Sequence, residues 1–178
     1  MAALAGRPLF EQLYAGHHQT LYAYLLGRTA DPDLALDLLQ DTFLRLWRNV
    51  DVGGDLSTER QHAWLFAVAR NLVIDQYRAQ STRRATGQAL EDAAQMANST
   101  APHSDVEVEV AYGERLQELD DAIRALPEDL RVVLVLSVVG ERTSTEVGEL
   151  LGRPAGTVRY QLAEAAADSH IASECSKW

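Results

Sequence analysis

Apolar residues spaced for helices, with no candidate pair of strands anywhere, constrain this chain more than any other feature. Phe10, Leu13, Tyr14, Leu21, Tyr24 and Leu25 recur three, four and seven residues apart, the period of one face of an amphipathic helix over residues 9–26. Asp31-Pro32 marks a turn, and a second helix is expected from Asp33 to Arg48. Residues 49–60, with Gly53-Gly54 among alternating polar residues, read as a loop before a third helix over residues 61–79. Leu130 to Val139 invites a different reading, because its β-branched run would suit a buried strand. A lone strand leaves its backbone unpaired and no second candidate is present, so a buried helix is expected there too.

The helical pattern is interrupted once. Residues 81–105 are rich in Ser, Thr, Ala and Asn and poor in large apolar side chains, the composition of a flexible linker. Helical spacing resumes near Tyr112, with Leu116, Leu119, Ile123 and Leu126 on one side, and breaks at Pro127. Thr143, with Glu146 three residues on, is a capping-box start for a short helix from Ser144 to Leu151. Gly152 closes that helix and Pro154 sits in the first turn of a last one, where its missing N–H costs nothing. Short helix, tight turn, second helix: this is the helix-turn-helix arrangement. The expectation is an all-α protein, with a helical domain over residues 1–80, a linker over 81–113 and a helix-turn-helix domain over 114–178.

The formal net charge of −10 is awkward for a nucleic-acid binder, but it is unevenly placed: −2 over residues 1–80, −3 over 81–113 and −5 over 114–178. A grip on phosphate is therefore expected to be weakest in the C-terminal part. No apolar run approaches the roughly 20 residues that cross a bilayer, and Met1 to Pro8 lacks the basic start of a secretory signal. The single cysteine, Cys175, makes no internal disulfide, so a cytoplasmic location is expected. Catalysis is not expected either. There is no Gly-rich phosphate loop, no His/Cys set at metal spacing and no nucleophile–base pair, and the adjacent His17-His18 point to different helix faces. No catalytic residue, metal, cofactor or small-molecule substrate follows from the residues.

Three helices carry the candidate binding faces. On the second, Leu36, Leu39, Phe43, Leu46 and Trp47 fall on one face at about 100° per residue, enough for its own core. Leu34, Leu38 and Leu44 fall on the other side among Asp37, Asp41, Arg45 and Arg48. Either the helix is buried on both sides, or the second face docks a partner that is basic and apolar. On the third, Leu65, Val68, Ala69, Leu72 and Val73 make a core arc, and Trp64, Asn71, Asp75 and Arg78 form a separate stripe. A ring, an amide and a guanidinium suit unpaired bases, although a solvated face with Trp64 turned into the core has the same pattern. The last helix turns Val158, Leu162, Ala165 and Ala166 inward and Thr157, Tyr160, Gln161, Glu164 and Asp168 outward. Thr157 and Gln161 can read base edges, Arg153 and Arg159 can reach phosphate or guanine, and the two acids would repel the DNA backbone.

Taken in order, LALDLLQDTFLRLWR (34–48), AWLFAVARNLVIDQYR (63–78) and TSTEVGELLGRPAGTVRYQLAEA (143–165) closely resemble the extracytoplasmic-function σ factors, the small two-domain members of the σ70 family. The resemblance implies an alternative σ factor with core RNA polymerase and promoter DNA as partners. It places Asp37, Leu38, Gln40, Asp41, Phe43, Leu44 and Trp47 against the clamp coiled coil of the largest polymerase subunit. It places Trp64, Arg70, Asn71, Asp75 and Arg78 at the −10 element, with loop 51–62 as the pocket for an extruded base. Arg153, Thr157, Arg159, Tyr160 and Gln161 fall at the −35 element, and the linker threads toward the RNA-exit path. FEQLYAGHHQTLYAYL and QDTF lean toward the iron-starvation subgroup, which is controlled by membrane-bound anti-σ factors. The ending AEAAADSHIASECSKW departs from the family's basic terminus, setting Glu164, Asp168 and Glu174 against Lys177. Each lost phosphate contact weakens binding. Tethering to polymerase would compensate, and a σ-like decoy or anti-σ-binding regulator is the alternative function.

Overall fold

The computed structural model describes residues 7–49, 58–85, 117 and 119–167, and no strand occurs among them. Residues 50–57 of the expected loop over 49–60, most of the expected linker and the acidic residues from Asp168 onward lie outside the described residues. The helices are α1 (Arg7–Thr29), α2 (Pro32–Arg48), α3 (Thr58–Ala85), α4 (Glu128–Val138), α5 (Ser144–Leu151) and α6 (Ala155–Ala167). Residues 119–125 are helical as well.

Local chemistry sets most of the boundaries. Asp31 caps α2, its carboxylate accepting from the N–H of Asp33 at 3.0 Å and of Leu34 at 3.1 Å, while Pro32 occupies the first turn. Asn49 closes the same helix by donating its side-chain amide to Arg45 O. Thr143 and Glu146 form the reciprocal capping box at the head of α5, and Gly152, at φ 66°, takes the left-handed conformation that ends it. The apolar run after Pro127 is helical, as α4. α3 differs from expectation at both ends. It begins at Thr58, inside the expected loop, and runs to Ala85, past the expected start of the linker. No Gly or Pro stands between Gly54 and Gly87, so nothing in that interval breaks a helix.

The helices on either side of the expected linker share one core. Leu21, Leu25, Leu46, Leu65 and Val73 belong to the same buried cluster as Val132, Val133, Leu136, Val147 and Val158. Helix α1 is the hub, packing on α2, α3 and α4. Toward α4 and the turn after it, α1 presents small residues, Thr20, Ala23 and Gly27, all buried. That stripe lets the backbones approach so closely that a Cβ at Gly27 would lie 2.7 Å from Val132 Cα. Arg131 staples the contact. Its Nε donates to Gly27 O at 2.9 Å, and its Nη1 donates to the free carbonyls of Arg124 and Leu126 at 2.9 and 3.0 Å. Arg28 pairs with Glu128 at 2.7 Å, Gln19 Nε2 donates to Val139 O, and Arg142 Nε donates to Thr20 Oγ1.

Candidate functional site

Helix α2 is packed by α1 on one side and α3 on another, and this changes the faces expected of it. Leu38 and Phe43 are core residues, 6% and 4% exposed, whereas Leu36 (52%), Leu44 (43%) and Trp47 (44%) are open to solvent. The outward face is Leu36, Gln40, Leu44 and Trp47, a stripe at intervals of four and three. Leu38 stands nearly opposite it, where Thr42 donates its buried hydroxyl back to Leu38 O at 2.7 Å. Two aromatic pairs close the far wall. Phe10 meets the Trp47 ring edge-to-face at 5.3 Å, and Tyr14 lies 4.8 Å from Phe43. Together with Leu39 these side chains line an open apolar groove of about 580 Å³ between α1 and α2. Asp37 and Asp41 are exposed beside it. Phe10, Tyr14, Leu36 and Leu39 were not among the expected contact residues. The signal for Phe10 and Tyr14 was present as an i, i+4 aromatic pair that matches Phe43/Trp47 on α2, whereas periodicity places Leu36 and Leu39 in the helix's own core.

On α3, Arg70, Asn71, Asp75 and Arg78 are exposed, and Arg78 lies 3.8 Å from Asp75. Trp64 is half-buried against the core, so only part of its ring is offered outward. Residues 58–62, assigned from sequence to a base-binding loop, are instead the first turn and a half of α3. Two residues before Trp64 in the chain, His62 has its ring centroid 4.9 Å from that of His17 and 4.6 Å from that of Phe66. Burial lowers the pKa of both histidines. The neighbouring Arg142 charge adds to it for both, and for His17 so does His62. Two histidines are too few to bind a metal firmly, and no group of three or more ligands occurs among the described residues.

The helix-turn-helix is α5, Gly152 and α6, anchored by Val147 and Val158, both fully buried. Thr157, Arg159 and Tyr160 are exposed on α6. Arg153 is different. Its guanidinium turns inward, with Nη1 donating to Gln161 Oε1 at 3.1 Å and Nη2 to the Asp129 carboxylate at the head of α4. Among the five expected −35 residues, the structure therefore brings Arg153 and Gln161 together and leaves the other three facing solvent.

The model of Sigma-70 region 2 matches residues 13–84, and that of Sigma-70, region 4 matches residues 116–168. The ECF RNA polymerase sigma factor SigL of Mycobacterium tuberculosis is 33% identical over 161 residues, covering 90% of this chain and 86% of that protein. The ferric citrate uptake sigma factor FecI of Escherichia coli is 32% identical over 157 residues, covering 88% and 86%. Among solved structures, the sigma factor RpoE of Bartonella quintana, in complex with the anti-sigma factor NepR, matches with a TM-score of 0.56 at 21% identity. That match covers 94% of this chain and 96% of that one. CnrH in complex with the cytosolic domain of CnrY also gives 0.56, at 22% identity, covering 99% and 93%. At these identities the structural matches speak for the fold.

Proposed function

Because the chain belongs to the σ70 family, as an extracytoplasmic-function RNA polymerase σ factor, we propose how its surfaces divide the work of an initiation factor. It binds core RNA polymerase and directs transcription from selected promoters. The groove between α1 and α2 takes an apolar ridge of the polymerase, and Asp37 and Asp41 meet basic residues flanking that ridge. Exposed stripes of this kind on a small protein mark interaction sites. The carrying observation is that Leu36, Leu44 and Trp47 share one solvent-facing groove.

Helix α3 lies along the melted −10 strand, with Asn71 for a base edge and Arg70 and Arg78 for phosphates. Trp64 adds a partial stacking surface. The helix-turn-helix enters the major groove at −35 through Thr157, Tyr160 and Gln161, with Arg159 on phosphate. None of this is catalysis, and the chain acts in the cytoplasm, where polymerase is; no described helix is long and apolar enough to cross a membrane. An anti-σ factor is the expected regulator, since σ factors of this fold are found in complex with such partners.

The test is in vitro transcription across genomic fragments with core polymerase, with and without the full chain. New start sites at a small promoter set are expected. A chain that joins core polymerase yet starts no specific transcript on any fragment would be the decoy and not the initiation factor.

A further inference from the structure

We infer that Arg153 is not a DNA contact but a positioning residue, which holds the Gln161 amide with its Nε2 donors toward the base at its −35 position. The inference rests on the reading of α6 as the −35 element's recognition helix. Three observations carry it. The Arg153 backbone is pinned, with its N–H donating to Gly148 O at 2.8 Å and its own carbonyl so near Gly148 that a Cβ there would lie 2.5 Å from it. The side chain is pinned as well, because one arm of the fork is held by Asp129, and the side chain is only 26% exposed. The other arm then presents a fixed N–H to Gln161 Oε1.

The consequence is chemical. A free glutamine reads adenine with both ends of its amide, accepting from N6 and donating to N7. Here one lone pair of the carbonyl oxygen is taken by a cation from the protein side, which orients the amide so that Nε2 is the end turned toward the groove. Nε2 carries two donors and no acceptor. It fits best a base whose major-groove edge offers acceptors and no donor, guanine through O6 and N7 or thymine through O4; adenine sets its N6 donor beside its one acceptor, N7, and cytosine offers only its N4 donor. Asp129 matters as the second link. Without it, the Arg153 fork is free to swing out to phosphate, and Gln161 is free to turn both ends of its amide to the base.

Holoenzyme reconstituted with the full chain is run on a promoter library randomised over the −35 element, and start frequencies are compared for wild type, Q161A, R153M, R153K and D129N. Wild type should favour guanine or thymine at one position, and Q161A should lose that preference. At the same position R153M should shift preference toward adenine by roughly five- to tenfold. R153K, which keeps the charge but not the fork, should behave like R153M, and D129N should fall between. The slope of log affinity against log salt for the −35 duplex should not change in R153M, whereas a lost phosphate contact would flatten it by about one unit. Circular dichroism and melting curves identify any variant that fails to fold, leaving R153K and D129N as the milder probes. A Gln161-dependent preference that R153M and R153K leave unaltered overturns the inference alone. If wild type shows no −35 preference at all, the reading of α6 fails and the inference falls with it.

Discussion

At Gly27 an added Cβ would stand 2.7 Å from Val132 Cα and 3.2 Å from its Cβ and Cγ2. Carbon contacts are favourable at about 3.5–4.0 Å, so Gly27→Ala pushes α1 and α4 apart by about 1 Å and Gly27→Val by more. The obstructing atom is backbone, so no rotamer change relieves it. Overpacking of this kind costs about 1–3 kcal/mol, and it loosens the neighbouring Arg131–Gly27 and Arg28–Glu128 contacts. The functional sign follows from length. Elements at −10 and −35 lie roughly 25 base pairs, or about 85 Å, apart along B-form DNA. Helices α3 and α6 are connected by three packing steps, through α1 and α4. At about 8–10 Å per step, that places them on the order of 30 Å apart. On the proposed reading of α3 and α6, both elements are reached only after α1 and α4 part. Weakening the contact by about 2 kcal/mol raises the parted population roughly 30-fold, and the apparent affinity for a promoter that needs the parted form rises toward the same factor. The assay pairs dyes at cysteines replacing Ala15 and Ala163, in a Cys175→Ser background, with a titration of initiation at fixed core polymerase. Gly27→Val should lower energy transfer and reach half-maximal initiation at a concentration at least several-fold lower, with helicity retained. An unchanged dye separation together with an unchanged titration midpoint, in a folded variant, would refute the reasoning. Gly27→Ala serves if valine prevents folding.

Leu44→Asp sets a charge in the apolar groove at an exposed position; stability should stay within about 0.5 kcal/mol, while affinity for core polymerase, measured by fluorescence anisotropy, should fall on the order of 30-fold or more. Thr143→Ala removes the α5 cap at a cost of about 1 kcal/mol in urea unfolding. The Thr143 N–H, its hydroxyl and Arg142 hold the Glu146 carboxyl down at about 2. A depressed folded value means that this stabilisation is fully present above the ordinary carboxylate range and is lost as pH falls toward 2, so the gap between variant and wild type should narrow in acid. His17 and His62 titrate below their ordinary range because they are buried beside Arg142. Their neutral forms stabilise the fold fully above about pH 6.5, and that contribution is lost as pH falls through the depressed values. The melting temperature should drop between pH 7 and pH 5, and less so in a His17→Gln/His62→Gln double variant. Arg159→Ala should flatten the salt dependence of −35 duplex binding by about one unit.

Helix existence and the helix-turn-helix were legible because their signals are local: Asp31-Pro32, the Thr143/Glu146 box and Gly152 act within a turn of where they stand. The contact of α1 with α4 was not, because it is made by absence. Thr20, Ala23 and Gly27 read as a weakly apolar stripe on a helix already supplied with Leu13, Leu21 and Leu25, and nothing local says that a second helix will exploit their smallness. The faces of α2 were misassigned for a related reason. With leucines around most of its circumference, periodicity cannot decide between Leu38 and Leu36; packing from two sides decides it, burying Leu38 and exposing Leu36. Arg153 shows a third limit. Its charge and place before the recognition helix suggest phosphate, and only the fold brings Asp129, 24 residues earlier, close enough to claim it.

These points bear on how so acidic a chain can serve at a promoter. With Arg153 committed inward, α6 carries one cation, Arg159, against the exposed Glu164. One phosphate contact supports little affinity of its own, since non-specific binding scales with the number neutralised. On the proposed reading, what α6 retains is the Gln161 amide and the Thr157 hydroxyl for base edges, which supply discrimination more than grip. Such a surface works when something else supplies proximity. Docking through the α1–α2 groove, as proposed, would do so by converting the −35 contact into an intramolecular step. On the proposed division of surfaces, the α1–α4 contact holds α3 and α6 too close to span a promoter, so reading both elements requires that contact to part. With so little phosphate grip on α6, the proposed −35 contact depends on the docked polymerase, and not on the affinity of α6 for DNA, to bring it to its site.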